Sequence, residues 1–246
     1  MNDLVESIRE RYLQTLERIA SAARSVNRQP ESIKLVVVTK SQAIEVTRAA
    51  VEAGARFLGE NYPEEGVTKL QSMRGVSAVE WHMIGHVQSR KAQLVAENFN
   101  FLHSLDSLKL ARKLDRFCGA AGRLLPILLE FNVGGEESKS GWNAWDEDLW
   151  SSLLDDLSAV MALPNLQVRG LMTMPPLGTN AEFSRTYFQK LKRLQDFLTL
   201  QFPQENFSEL SMGTSSDYEV AVQEGATLVR VGTAIVGVRQ YKTEVK

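Results

Sequence analysis

A single cysteine, Cys118, stands in the 246-residue chain. One thiol can form neither an internal disulfide nor a cysteine-based zinc site, and both absences suit a reducing compartment. The Asn206-Phe207-Ser208 sequon therefore carries no expectation of glycosylation. Long apolar runs are missing as well. Purely apolar stretches such as residues 35–38 and 127–129 fall far short of the roughly 20 residues a bilayer span requires. The opening Met1-Asn2-Asp3-Leu4-Val5-Glu6 has neither the basic start nor the apolar core of a signal peptide. No membrane partner is expected, and the cytosol is the expected location. Blocks of basic residues are lacking too, with 28 Lys and Arg against 30 Asp and Glu and a formal net charge of −2. A nucleic-acid footprint is not expected, and Lys190, Lys192 and Arg193 read as a solvated helix face. No composition shift or Gly/Pro-rich linker divides the chain, and 43% hydrophobic with 24% charged residues excludes disorder. Residues 1–246 read as one domain.

What is present is alternation. Leu4, Ile8, Tyr12, Leu16, Ile19 and Ala23 recur at three- and four-residue spacing, which predicts an amphipathic helix over residues 3–24. The run Ile33-Lys34-Leu35-Val36-Val37-Val38-Thr39 is too continuous for a half-exposed strand and fits a parallel strand buried on both faces. A helix over 43–53 follows, stopping at Gly54. Seven further strands are expected at 56–59, 79–85, 100–104, 125–133, 168–173, 207–212 and 228–231. Helical patterns separate them at 63–73, 88–97, 108–121, 146–161, 181–200 and 216–224. Eight parallel strands with intervening helices close most economically into a (β/α)8 TIM-type barrel, here preceded by an extra N-terminal helix. An open doubly wound sheet is the rival. It usually carries Gly-x-Gly-x-x-Gly after its first strand, and Thr39-Lys40-Ser41-Gln42 holds no glycine.

In a barrel, chemistry belongs at the C-terminal strand ends. The first strand ends in Lys40, which reads either as an amine snorkelling toward a neighbouring carboxylate or as a desolvated Schiff-base nucleophile. Between the seventh strand and its helix lies Ser211-Met212-Gly213-Thr214-Ser215-Ser216-Asp217. There Ser216-x-x-Glu219 reads as a capping box. The eighth strand ends in Arg230-Val231-Gly232-Thr233. These two loops are two ordinary turns or the phosphate site that such barrels place there. Period-two geometry puts Leu228, Arg230 and Gly232 on one face. Arg230 then pairs with an inward carboxylate such as Glu130 or donates to an unprotonated ring nitrogen of a ligand. Gly59-Glu60-Asn61, Trp81-His82-Met83-Ile84-Gly85-His86 and Glu130-Phe131-Asn132 add polar groups expected at the mouth. Gly85 spoils a metal-ligand reading of His82 and His86. The glycine-flanked 134–142 loop, with Lys139, reads as solvated or as a lid over the mouth.

An ordered set of motifs runs nearly the whole chain: Val37-Val38-Thr39-Lys40, Gly59-Glu60-Asn61-Tyr62, Trp81 through Ser89, His103-Ser104-Leu105-Asp106-Ser107, Glu137-Ser138-Lys139-Ser140-Gly141, Gly170-Leu171-Met172-Thr173-Met174, Leu210-Ser211-Met212-Gly213 and Arg230 through Gly237. This set resembles the pyridoxal phosphate homeostasis proteins, the YggS/PROSC family. The resemblance implies an alanine-racemase N-terminal-type barrel binding pyridoxal 5′-phosphate (PLP) as an aldimine on Lys40. It further implies that Arg230 faces the pyridine nitrogen, that Ser211, Met212, Gly213, Ser215, Gly232 and Thr233 form a phosphate cradle, and that Asn61 and His82 lie near the cofactor. Thr39 stands where serine is common in the family, Pro63 follows Asn61-Tyr62, and Thr214 stands where methionine is frequent. The family is associated with holding PLP and delivering it, with apo-PLP enzymes as recipients and without robust turnover. A PLP-dependent racemase is the alternative. Two-base racemisation draws one acid/base group from a second domain of a partner subunit, and residues 238–246 are too few for one, which also points to a monomer. A class I aldolase is a third reading, but its Schiff-base lysine typically lies on a later strand.

Overall fold

In the computed structural model, residues 2–75, 79–176, 178 and 180–238 are described. The terminal segment read as too short for a second domain lies outside them from residue 239 onward. Helix α1 (Asn2–Ser25) buries Val5, Ile8, Ile19 and Ala23 along one stripe. Then β1 (Lys34–Val38), α2 (Ile44–Glu52), β2 (Phe57–Glu60), α3 (Pro63–Ser72), β3 (Glu80–Met83), α4 (Ala92–Asn98), β4 (Phe101–Leu105), α5 (Leu108–Ala120) and β5 (Leu125–Asn132) follow in strict alternation. A two-residue strand β6 (Trp142–Asn143) precedes α6 (Leu154–Met161), β7 (Leu166–Met172), α7 (Arg185–Gln201), β8 (Glu209–Ser211), α8 (Tyr218–Gln223), β9 (Leu228–Val231) and α9 (Thr233–Val236).

Among the described residues eight parallel strands close in the order β1, β2, β3, β4, β5, β7, β8, β9, with β9 returning to pair with β1. The expected (β/α)8 barrel is therefore the fold. β6 lies outside this ring and pairs only with β5. Helix α1 packs against α2, α8 and α9. With α9 only four residues long, α1 fills the place in the outer layer between the helices flanking β9 and β1. The helix expected as an addition thus completes the ring.

Three helices begin later than their apolar period suggests. The 146–161 pattern opens as a 3-10 turn over Glu147–Leu153 because the Asp146 carboxylate accepts from the nearby Asp148 amide and tightens the start. The 181–200 pattern opens as Ala181–Ser184, where Asn180 caps the Phe183 amide, and the 88–97 pattern opens as Ser89–Lys91.

The barrel interior follows the two-residue period of its strands. Val36, Leu128, Met172 and Leu228 pack inside with Phe57 and Phe101; burying each aliphatic chain there contributes about 1.5–3 kcal/mol. The alternate residues, among them Leu35, Val37, Leu58, Val229 and Val231, join the larger core between barrel and helices. At the N-terminal end Lys34 closes the interior with an ion pair to Glu209 at 2.7 Å. The same parity brings Val38, Arg230 and Gly232 upward, toward the opposite end.

Candidate functional site

At the C-terminal end of the strands lies a cavity of about 430 Å³. Its walls include Lys40 after β1, Asn61 after β2, Arg230 from β9, Ser215 after β8, and Gly232 and Thr233 after β9. The size suits a small cofactor.

Lys40 sits on a rigid frame. The Thr39 hydroxyl donates to Glu60 Oε1 at 2.6 Å. The Lys69 ammonium donates to the Thr39 carbonyl at 2.6 Å, to Glu60 at 2.9 Å and to Glu65 at 2.6 Å. Glu65 in turn accepts from the Ser41 amide at 2.7 Å, and Ser41 adopts φ 56°. The backbone on both sides of Lys40 is thereby tied to α3. Burial pushes the Glu60 carboxyl above its ordinary range, and Lys69 opposes that shift. Glu60 belongs to this frame and does not line the cavity, because it lies on the opposite side of β2 from Gly59 and Asn61.

Asn61 reaches the cavity because Gly85 lets two chain segments meet: a Cβ at position 85 would stand 2.4 Å from the Asn61 carbonyl oxygen. Its Oδ1 is buried and accepts no hydrogen bond among the described residues. An orphaned buried acceptor on a cavity wall is a site waiting for a donor.

Arg230 is buried. One guanidinium nitrogen donates to Ser211 Oγ, and the other to the Thr173 carbonyl and to Met174 Sδ, each at 2.9 Å. Among the described residues no carboxylate lies within ion-pair distance of it. Burial lowers its pKa to about 10, which leaves it charged at neutral pH. The expected structural partner, Glu130, remains apart; its Oε2 lacks a hydrogen-bond partner, and burial raises that carboxyl to about 7.

The turn after β8 is built differently from the expected capping box. Helix α8 starts at Tyr218, and Asp217 organises the turn: its carboxylate accepts from the Thr214 amide at 2.7 Å and hydroxyl at 3.0 Å and from Ser184 Oγ at 2.7 Å. Glu219 pairs instead with Arg18. The turn leaves the Ser215 and Ser216 amides with no acceptor among the described residues, and the Gly232 amide donates to Ser215 Oγ at 3.2 Å. Two strand ends therefore present hydroxyls and amides to one corner of the cavity.

The structure thus brings together Lys40, Asn61, Ser215, Arg230, Gly232 and Thr233. Ser211 lies one layer below, under Arg230. Gly213 packs beneath α8, where a Cβ would meet Ala221 at 2.5 Å. Met212 points outward into the helix-facing core, opposite to its expected place, because it alternates with inward Ser211. His82 is also displaced from the mouth: it is stacked on Phe101 at 5.2 Å within the barrel, two residues below Ile84, the residue of β3's end that does line the cavity. Ile84 and Met174 are lining residues not singled out individually in the sequence, although each belongs to a quoted strand-end motif; Thr214 and Ser216 line the cavity as well. The 134–142 loop is anchored rather than open. Asn132 holds the Gly135 amide and the Glu136 carbonyl, and Lys139 donates to the carbonyls of Met174 and Pro175. Exposed His86 pairs with Asp106 at 2.8 Å. No cluster of three metal-ligating side chains occurs among the described residues, and no helix among them is long and apolar enough to cross a membrane.

The chain is similar in sequence and fold to known proteins. Residues 14–240 match the family described as alanine racemase, N-terminal domain. A pyridoxal phosphate homeostasis protein of Escherichia coli K12 is 37% identical over 98% of this chain and 99% of its own length. One from Vibrio alginolyticus is 38% identical over 93% and 97%. The structure of PipY from Synechococcus elongatus PCC7942 with PLP bound superimposes with a TM-score of 0.76 at 38% identity, covering 90% of this chain and 99% of PipY. An alanine racemase of Streptomyces coelicolor, at 19% identity and a TM-score of 0.68, shares the fold, with this chain covering 58% of it. With relatives named pyridoxal phosphate homeostasis protein 37–38% identical over nearly the whole chain, and a barrel of the matching fold, this chain belongs to the family of the pyridoxal phosphate homeostasis proteins.

Proposed function

We propose that the chain binds PLP in the barrel-mouth cavity, holds it covalently through the Lys40 amine, and delivers it to apo-PLP enzymes as a cytosolic monomer without sustained turnover of its own. The observation carrying this reading is that Lys40, the donor-only Arg230, Ser215 and Ser216 line one cavity of about 430 Å³, and that the Ser215 and Ser216 amides have no acceptor among the described residues. The residues fit the cofactor's chemistry. An aldehyde meets an amine, an anionic phosphate meets amides and the hydroxyls of Ser215 and Thr233, and the buried Asn61 Oδ1 accepts from a donor on the ligand. When bound, PLP supplies a reactive aldehyde and an aromatic ring able to take up electron density.

The protein's own groups decide how far that ring is used. Arg230 has no acceptor atom and stays protonated, so it keeps a facing ring nitrogen unprotonated and weakens the ring as an electron sink. Ordinary amine exchange at Lys40 needs no such sink; racemases share the same arginine, so the choice between carrier and enzyme rests on the assays below. Lys69, Glu60 and Glu65 fix the backbone on either side of Lys40, which holds the amine at the mouth.

The decisive experiment is borohydride reduction of the protein loaded with PLP, followed by mass mapping of the modified lysine. Modification at Lys40, with the visible band abolished in Lys40→Ala, supports the reading; modification solely elsewhere overturns it. Parallel assays of amino-acid racemisation and of PLP transfer to an apo-enzyme separate carrier from enzyme, since robust turnover without transfer reverses the choice.

A further inference from the structure

A line of polar groups descends from Arg230 along the barrel axis. Arg230 donates to Ser211 Oγ. Ser211 Oγ is 2.8 Å from His103 Nδ1, His103 Nε2 is 2.8 Å from His82 Nδ1, and His82 Nε2 stands 3.6 Å from the Glu80 carboxylate at the N-terminal end of the barrel. Ser211, His103 and His82 are all buried.

The Arg230 end of this line sets its polarity, and the Glu80 carboxylate, 3.6 Å from His82 Nε2 and beyond hydrogen-bond distance, favours the same direction. Arginine can only donate, and an ionised carboxylate can only accept. Ser211 has one hydrogen and receives a bond from Arg230. If its hydrogen goes to His103 Nδ1, then His103 carries its proton on Nε2 and donates to His82, and His82 presents Nε2–H toward Glu80. In the reverse polarity the Ser211 hydrogen has no acceptor among the described residues, and a bare nitrogen lone pair of His82 faces the Glu80 carboxylate. Leaving the Ser211 hydroxyl unmatched in a buried interior costs about 1–3 kcal/mol. Burial also holds both imidazoles neutral, with His103 further disfavoured as a cation by His82 and Arg230.

We propose that His103 is a positioning residue for Arg230: as the neutral Nε2–H tautomer it takes the hydrogen of Ser211, which turns a Ser211 lone pair toward the guanidinium and sets the arginine's orientation at the floor of the cavity. This matters because Arg230 lacks a carboxylate partner among the described residues and is instead held by oriented dipoles: Ser211, the Thr173 carbonyl and Met174. The effect on cofactor rests on the function proposed above, whereas the tautomer does not.

Two measurements test it. Nitrogen-15 NMR of the histidine side chains in the ligand-free protein should find His103 protonated at Nε2 and bare at Nδ1; a proton at Nδ1 overturns the proposal. In PLP-loaded protein, His103→Leu should shift the visible band and speed PLP release about tenfold, the scale of one charge-assisted hydrogen bond. His103→Asn, whose oxygen can replace Nδ1 as acceptor, should return both toward wild type. Ser211→Ala provides a second, smaller change expected to reproduce the leucine variant. A wild-type band and release rate in folded His103→Leu or Ser211→Ala, judged by an unaltered melting profile, overturns the proposal. If the wild-type protein takes up no PLP, the functional reading fails, and the ligand-free NMR measurement still decides for or against the tautomer chain.

Discussion

The Lys69 ammonium donates to the carbonyl of Thr39 at 2.6 Å, one residue before Lys40. The same ammonium donates to Oε1 of buried Glu60, whose Oε2 has no hydrogen-bond partner among the described residues. Removing one member of a buried pair leaves an uncompensated charge. Lys69→Met should therefore destabilise the fold by about 3–5 kcal/mol, measured as a lower urea midpoint, and should weaken PLP uptake at Lys40. Unchanged stability would show that the frame contributes nothing.

The buried Glu130 carboxyl gives a pH signature. Its folded-state pKa is raised from 4.5 to about 7, so in that window the folded state holds a proton the unfolded state has lost. Stability from this group is full below about pH 4.5 and falls as pH rises through about 7. Relative to Glu130→Gln, the wild-type protein should lose on the order of 3 kcal/mol between pH 4.5 and 8. Parallel denaturant titrations across that range check the sign; a constant difference between the two proteins would remove Glu130 from the account.

The contact between β2 and β3 that admits Asn61 should tolerate no side chain. In Gly85→Ala the added Cβ would meet backbone at 2.4 Å, and such overpacking costs about 1–3 kcal/mol. The expected result is a lower melting temperature together with weaker PLP binding. Normal binding in a fully stable variant would show that the Asn61 backbone can move aside.

Lys139 is held by the carbonyls of Met174 and Pro175 and by Glu136, and Met174 lines the cavity. Lys139→Ala should load PLP normally through Lys40 yet release it at a changed rate to an apo-enzyme. Stopped-flow transfer measurements check this, and an identical rate retires the idea that this loop assists hand-over.

Much of this was readable in residue order, for identifiable reasons. β1 needs no knowledge of its neighbours, since a continuous β-branched run announces burial on both faces. Period two likewise places Arg230 inward before any partner is known. The same rule turns Met212 outward, but grouping 211–213 as one cradle set that alternation aside. His82 points inward as parity requires. Its depth depends on strand stagger and on Phe101 and His103 from β4, which residue order does not contain. The Ser216–Glu219 capping box matched a local pattern and lost to Asp217, whose competing partner Ser184 comes from the distant turn before α7. Glu60 and Lys69 escaped notice as a pair because their meeting depends on how α3 docks behind β1.

β1 and β9 lie side by side, with Val36 opposite Arg230, so the cavity is assembled from the earliest and latest strands of the polypeptide. A chain still emerging from the ribosome has the lysine but neither the arginine nor the final glycine turn, so the cavity is complete only once synthesis has passed Thr233. Any molecule seated there afterwards spans the seam like a clasp, favouring the closed ring over every partly opened form.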